Sequence, residues 1–270
     1  MPDKTEIDSA ISALNDLRRR LGDQAPEVLT SMQGIASQYL AMGDIDKALE
    51  YQSLVVDGGR SRHASDSVEA LDALYRLSRL HMRNGDLVAA RHILERVVPI
   101  IGDSVGYANV MSIQCMRALA STLYDMHDYE SCYTWIAKVT KYSEEIFGDG
   151  DRKTLEYRLH EADVLRHLEK LDEARILDKE VMQQAEDQEL DVPFRIQTIR
   201  NFLEDLGLIG DVQGQTELIL QMVDLARQLP KEDPIRLKMP TFLKEARRIR
   251  LVTEIGRANM KRIRKAIQSL

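Results

Sequence analysis

Three arginines with helical spacing are the residues of this chain whose type and arrangement most clearly suggest recognition chemistry. Arg76, Arg79 and Arg83 follow one another at intervals of three and four residues, which places them on one stripe of an α-helix. A guanidinium group presents a planar fork of N–H donors that pairs bidentately with a carboxylate. In a chain of net charge −7, this basic stripe predicts a site for an acidic ligand. The competing interpretation is that these arginines pair with Asp72, Glu69 and neighbouring helices.

A serine motif suggests a different chemistry. The segment Gly102-Asp103-Ser104-Val105-Gly106 matches the G-x-S-x-G pattern of a hydrolase nucleophile elbow, and it follows the strand-like run 97–101. An elbow requires a buried strand within a parallel sheet, whereas the flanking segments have helical periodicity. We therefore expect a connecting loop after Pro99, and we expect the protein not to be an enzyme. A hydrolase that uses Ser104 is the alternative from the enzyme class.

No metal or cofactor site is expected from the remaining reactive residues. His160 and His167 lie seven residues apart, about 10 Å along a helix axis, which is too far for one metal ion. Cys115 and Cys132 have no metal-ligand spacing and are interpreted as small apolar residues of a reduced protein. The Gly58-Gly59-Arg60 segment does not match a phosphate-binding loop and is interpreted as a flexible connection.

Composition and charge favour a folded, soluble chain. Of 270 residues, 44% are apolar and 30% charged, and no apolar run is long enough for a membrane helix or a secretory signal, so we expect a cytoplasmic protein. The charge is divided unevenly. Residues 231–270 hold 12 Lys/Arg against 4 Asp/Glu, a net charge of +8, whereas the first 230 residues hold 25 against 40, a net charge of −15. A tail of opposite sign predicts internal docking or a separate interaction surface.

The elements that position these residues repeat along the chain. A turn signature such as Asn84-Gly85-Asp86 recurs between two stretches with helical periodicity, which predicts a helix, a tight turn and a second helix. Four small residues of the second helix recur at a constant interval of 42, namely Ala48, Ala90, Cys132 and Ala174. Small residues let antiparallel helices approach closely. A fifth, degenerate unit begins at Gly210-Asp211.

This pattern resembles the tetratricopeptide repeat (TPR). The family places a large residue, Leu, a small residue and an aromatic on the first helix and Ala on the second. Hairpin one matches with Ile35-Ala36, Tyr39 and Ala48. The match is partial, because the tryptophan of the family is replaced by Met32, Leu74, Met116 and Arg158.

The interval of 42 residues looks like the kinesin light chain type of array. That type carries a Gly-Asp segment ahead of each first helix, as in Leu21-Gly22-Asp23 and Phe147-Gly148-Asp149. Its groove asparagines are replaced here by Gly34, Arg76, Ala118 and His160, so its cargo specificity is not carried over. HEAT or armadillo repeats have a similar period but lack this turn signature.

The resemblance implies an all-α fold, a right-handed α-solenoid of about five TPR hairpins with capping helices. Residues 1–21 are expected to form an N-terminal capping helix, residues 22–230 the repeat array, and residues 231–270 a basic C-terminal capping helix. Certain first-helix positions of the family face the concave groove. Carried over to this chain, they give the predicted peptide-binding residues Tyr75, Arg76, Arg79, Arg83, Arg117, Tyr124, His160 and Arg166.

The predicted function is a non-enzymatic interaction module, either an adaptor or a regulatory protein, that binds a protein or peptide segment bearing acidic groups. We expect no membrane insertion and no cofactor. The alternative is a nucleic-acid-associated or ligand-sensing regulator that acts through the basic C-terminal helix, with apolar residues such as Phe242, Ile249 and Ile263 on one side and Lys244 and Arg248 on the other.

Overall fold

The structure is a computed structural model that describes residues 4–62, 67–239 and Lys265. Within these residues the chain is built from helices without strands, which confirms the all-α prediction. The chain divides into two compact units, Met1–Ile146 (unit 1) and Phe147–Leu270 (unit 2). The helices of unit 1 are α1 (Lys4–Leu21), α2 (Pro26–Met42), α3 (Ile45–Arg62), α4 (Val68–Arg83), α5 (Leu87–Val105), α6 (Val110–Asp125) and α7 (Tyr129–Phe147), the last of which ends on the first residue of unit 2.

Unit 2 continues the same arrangement. It contains α8 (Arg152–His167), α9 (Leu171–Asp187), α10 (Val192–Ile209) and α11 (Val212–Arg227), followed by a helical segment at 234–239. Within unit 1, α2 packs on α3, α3 on α4, α4 on α5 and α5 on α6. Within unit 2, α8 packs on α9, α9 on α10 and α10 on α11. The packed pairs α2/α3, α4/α5, α8/α9 and α10/α11 are four hairpins, and α6 and α7 are joined by a turn with the same backbone hydrogen bonds as the turn between α4 and α5. The described helices thus give five hairpins, as the sequence repeat predicts.

The turns inside the hairpins keep one backbone geometry. One residue of the turn between the first and second helix adopts a positive φ in each of the five hairpins: 83° at Gly43, 79° at Gly85, 60° at His127, 60° at Glu169 and 75° at Gly210. Glycine adopts this conformation without a steric penalty, whereas other L-residues adopt it at a cost. These positions recur every 42 residues in the first four hairpins and after 41 residues in the fifth, and the turn keeps its geometry where the residue is His127 or Glu169 and not glycine.

Four of the five second helices begin at an aspartate side-chain cap, as the signature predicts, whereas α9 begins after Lys170 without a side-chain cap hydrogen bond. Asp86 accepts a hydrogen bond from the backbone N–H of Ala89, and Asp211 accepts one from the N–H of Gly214. Asp44 and Asp128 make the equivalent contacts in their hairpins. These carboxylates satisfy N–H groups that have no partner inside the helix.

The four small residues of the repeat lie where two helices meet. Ala48, Ala90 and Ala174 are completely buried, and Cys132 is almost so. Both cysteines are free and buried. Burial raises the pKa of the Cys115 thiol to about 12, so this thiol is protonated at neutral pH and is a poor nucleophile.

Two expectations about irregular segments are wrong. Gly58 and Gly59, interpreted as a flexible connection, lie inside α3. A methyl group on Gly58 would lie 2.5 Å from Cδ2 of Leu29, so this glycine allows α3 to pack closely against α2.

The loop expected after Pro99 is also absent, because α5 continues through Pro99 to Val105. Val97, Val98 and Ile101 are completely buried, and their packing offsets the hydrogen bond that proline cannot make. Ser104 therefore lies on a helix, where its hydroxyl donates to the carbonyl of Ile100 at 2.7 Å. The strand that a nucleophile elbow needs does not occur here.

The structure describes the N-terminal helix, but it describes only part of the C-terminal region. At the N-terminus, α1 packs on α2 and buries Ile7 and Leu14. Near the other end, Met239 is buried in the apolar core of unit 2. Apart from Lys265, the basic segment beyond Met239, with Phe242, Ile249 and Ile263, lies outside the described residues, so its capping role stays a prediction.

Candidate functional site

The arginine stripe of α4 lines a pocket in unit 1. Arg76, Arg79 and Arg83 surround a cavity of about 90 Å³ together with residues of α2 and α3. The other lining residues are Ala36, Ser37, Leu40, Gln52 and Leu80. The stripe predicted from helical spacing therefore places three guanidinium groups around one opening, which we call the arginine pocket.

Arg76 has a carboxylate partner on its own helix. Its Nε donates to Oδ2 of Asp72 at 2.7 Å, and both side chains are partly exposed. This contact matches the competing interpretation for this one arginine. A pair between exposed i and i+4 residues contributes only about 0.3–0.5 kcal/mol, so it can rearrange when a ligand binds.

Arg79 and Arg83 differ from Arg76 in their ion pairing. Both are exposed, and no carboxylate among the described residues forms an ion pair with either of them. The guanidinium of Arg79 lies over the ring of Tyr75 at 5.8 Å from its centroid. Because Tyr75 is buried, its ring forms a fixed support for this guanidinium. These two cations at the pocket therefore have no anionic partner within the part of the chain that the structure describes.

A larger cavity adjoins the arginine pocket and shares Arg76 with it. Its volume is about 530 Å³, within the range of pockets that hold small ligands or side chains. Apolar groups from four helices or their flanks form most of its wall, namely Pro26, Leu29, Val55, Val68, Ala70, Ala73 and Met111. Its polar lining includes Thr30, Gln33, Glu69 and Asp72. We call it the apolar pocket.

The other predicted groove residues of unit 1 lie on α6, which is a neighbour of α4. Arg117 is half-buried and forms no ion pair with the described residues. Tyr124 is half-buried, and its ring meets that of Tyr129 edge to face at 5.5 Å. Neither side chain lines the two pockets.

The two predicted residues of unit 2 differ in exposure. His160 is exposed on α8. Arg166, on the same helix, is largely buried and binds the buried carboxylates of Asp178 and Asp205. Its guanidinium is therefore already occupied inside unit 2.

Sequence reasoning missed Asp178 and Asp205. A signal for Asp178 was present, because it occupies the same helical stripe as Ala174, Val181 and Ala185, all of which are buried. A carboxylate on an apolar stripe predicts a buried ion pair or a functional group. Its partners could not be predicted, since they lie on other helices.

Arg158 occupies the position at which the repeat family has tryptophan. It is almost fully buried and donates to Asp149 and to Gln184. Asp149 belongs to the Gly-Asp segment ahead of α8, where Gly148 adopts a φ of 96°. The arginine thus ties the segment between hairpins to α8 and α9.

Within the described part of the chain, no helix could cross a membrane, and no group of three or more His, Cys, Asp or Glu side chains could hold a metal ion.

Comparisons with known proteins identify the fold. No family model matches the sequence, and no curated protein matches it either. Solved structures do match. TPR-like repeats of Podosopora anserina described as kinesin light chain share 18% identity, with a TM-score of 0.69 over 76% of this chain and 97% of that one.

Two further structures extend this likeness. The apo form of RapI matches 98% of this chain and 69% of its own, with 11% identity and a TM-score of 0.74. YrrB, a TPR protein with an unusual peptide-binding site, matches 85% of this chain and 98% of its own, with 14% identity and a TM-score of 0.54. The chain therefore has the tetratricopeptide-repeat fold, and arrays of the kinesin light chain type are among its structural neighbours.

Proposed function

We propose that this protein is a non-enzymatic interaction module that binds a peptide or protein segment bearing carboxylates at the arginine pocket of unit 1. The observation that carries the proposal is the pair of exposed guanidinium groups, Arg79 and Arg83, without an ion-pair partner among the described residues. A carboxylate that accepts from either fork gains a charge-assisted hydrogen bond. Arg76 can join the same ligand when it releases Asp72.

The apolar pocket gives the ligand a second point of attachment. Its wall is mostly apolar and it opens beside Arg76, so it suits an apolar side chain that lies close to the acidic group. Burial of such a side chain contributes about 1.5–3 kcal/mol. The combination favours a segment in which acidic and apolar residues are near neighbours, and this is a pattern that a peptide or an exposed protein segment supplies.

The structural neighbours support the class of ligand and do not specify its sequence. YrrB is described as having a peptide-binding site, and it shares the repeat fold. Arrays of packed hairpins present preformed surfaces, which lowers the ordering cost of binding on one side of the interface. A role as adaptor or regulator in the cytoplasm is part of the same proposal.

Charge reversal at the pocket tests the proposal. The Arg79→Glu/Arg83→Glu protein and the wild type are each used to select binders from a displayed peptide library. Acidic peptides should be enriched by the wild type, and their affinity for the double variant, measured by fluorescence polarisation, should be lower by about tenfold or more.

A matched control separates the pocket from net charge. Arg96→Glu/Lys179→Glu makes the same change in net charge at two exposed helical positions away from the pocket, and it should select the same peptides as the wild type. Equal enrichment of acidic peptides by the Arg79/Arg83 variant would contradict the proposal.

The alternative function, contact with nucleic acid through the basic tail, rests on the net charge of +8 over residues 231–270. A tail that neutralises phosphates should give DNA binding that weakens steeply with salt. Deletion of residues 241–270 should then abolish that binding without affecting selection of acidic peptides. Salt-sensitive DNA binding by the full chain and its loss on deletion would favour this alternative.

A further inference from the structure

An interior ion cluster joins three helices of unit 2. Asp178 on α9 and Asp205 on α10 have only 0% and 3% of their surface exposed. Both carboxylates contact the same atom, Nη1 of Arg166 on α8, and the distance from Nη1 to Oδ1 of Asp205 is 3.0 Å. One guanidinium therefore bridges two buried carboxyl groups that come from different helices.

The cluster contains an excess of negative charge when both carboxyl groups are ionised. One cation faces two buried anions, and an uncompensated charge in the protein interior is costly. Asp163 adds a third carboxylate at 3.5 Å from Nη2 of Arg166, although its side chain is 44% exposed. The buried part of the cluster thus lacks one positive charge.

The cluster also lacks a hydrogen-bond donor. Asp178 Oδ1 and Asp205 Oδ2 are buried and accept no hydrogen bond from the described residues. Buried polar atoms almost always have a partner, so these two oxygens require an explanation. Because Nη1 of Arg166 contacts one oxygen of each carboxyl group, the two groups lie side by side, where a proton on one of them can be donated to the other. A single shared proton would supply the missing donor and remove the excess charge.

The surroundings of Asp178 favour that proton. Burial raises the pKa of Asp178 to about 7, Arg166 acts in the opposite direction, and the nearby Asp205 raises the pKa further. A second carboxylate in the same buried site makes ionisation of Asp178 more costly.

Each helix packed around Asp178 contributes identified groups. From α8 come Arg166 and, at the edge, Asp163, while Asp205 comes from α10. On α9 itself, Arg175 donates to Asp172 at 3.1 Å. Beyond α10, the buried residues Gln215 and Thr216 of α11 are neutral.

We propose that Asp178 and Asp205 share one proton beside Arg166 at acidic pH, and that loss of this proton as the pH rises through neutrality loosens the junction of α8, α9 and α10. The arrangement makes unit 2 a pH-responsive part of the protein. None of its residues lines the arginine pocket, and all of them belong to the other compact unit.

The direction of the pH effect follows from proton binding. The pKa of Asp178 is higher in the folded chain than in the unfolded chain, so between about pH 4 and pH 7 only the folded state holds this proton. The contribution of Asp178 to the free energy of unfolding is therefore largest at acidic pH. It falls as the pH rises to about 7 and is constant above that value.

The test compares the full-length wild type with Asp178→Asn, which keeps the size of the side chain and replaces the titrating group with a permanent amide donor. Hydrogen-exchange protection of α8, α9 and α10, corrected for intrinsic exchange, should fall about tenfold between pH 6 and pH 9 in the wild type. In Asp178→Asn it should change by less than about twofold. Asp187→Asn, an exposed site on the same helix, should behave as the wild type does.

A direct titration keeps the proposal falsifiable if the variant does not fold. The carboxyl ¹³C resonance of Asp178 in the wild type should titrate with a midpoint between about pH 6 and pH 8, according to the raised pKa. A midpoint below about pH 5, or a folded Asp178→Asn protein that keeps the pH dependence of the wild type, would overturn the proposal.

Discussion

At the residue scale, the turns of the third and fourth hairpins store a small amount of backbone strain. Glu169 has a φ of 60°, in the conformation that Gly43 and Gly85 adopt in earlier hairpins, and its side chain is exposed. Glu169→Gly should therefore raise the free energy of unfolding by about 0.5–1 kcal/mol, because glycine adopts this φ without a steric penalty. Urea denaturation measures the change. Glu180→Gly, at an exposed position inside α9, should lower the free energy by about 1 kcal/mol. A loss of stability at both positions would contradict the account of the turn.

Contacts of single residues also explain which positions could be predicted from the sequence. The interval of 42 predicted the buried small residues and the turns, because each depends on contacts inside one hairpin. The partners of Arg166 depend on contacts between hairpins, since Asp205 lies 39 residues away along the chain. Helical spacing also placed Arg76, Arg79 and Arg83 around one pocket, while it gave no information on which of them is paired.

At the element scale, two helical glycines should respond to the same substitution in opposite ways. A methyl group on Gly102 of α5 would lie 2.3 Å from Cζ of Tyr107, whose ring stacks on that of Tyr142 at 5.7 Å. Gly102→Ala should therefore displace the stacked ring and lower the free energy of unfolding by about 1–3 kcal/mol.

The matched variant is Gly34→Ala in α2, where a methyl group meets no atom within 4 Å. Alanine favours helix more than glycine does, so this variant should gain about 0.5–1 kcal/mol. Both values come from chemical denaturation of the full chain. A gain at Gly102 equal to that at Gly34 would show that Tyr107 does not occupy the space that the glycine leaves.

The errors in element boundaries have a common cause. Gly58 and Pro99 were interpreted as chain breaks because both residues disfavour helix in isolation. In the folded chain the contacts of α3 with α2, and the burial of Val97, Val98 and Ile101, outweigh that local preference. Tertiary packing between helices is not visible in the local pattern of a single segment.

At the scale of the whole molecule, each helix should be stabilised mainly by the helices next to it in sequence. Within each compact unit, the helices pack chiefly on those that precede or follow them in sequence. In repeat proteins the stability of one hairpin depends on its own packing and on that of its neighbours. A substitution near one end should therefore leave distant helices unaffected.

Leu14→Ala tests this locality at the N-terminal helix. Leu14 is only 1% exposed in the core that α1 shares with α2, and removing its side chain should cost about 2–5 kcal/mol. Hydrogen exchange measured by mass spectrometry should show loss of protection in α1, by about tenfold or more, with α8 to α11 changed by less than about twofold. Leu21→Ala, on the same helix at a side chain that is 47% exposed, should leave all helices unchanged. If hydrogen exchange became faster to the same extent in both compact units of Leu14→Ala, the chain would unfold as one cooperative body. A capping role for residues 1–21 would then lose its physical basis, because no end of the array would be separately stabilised.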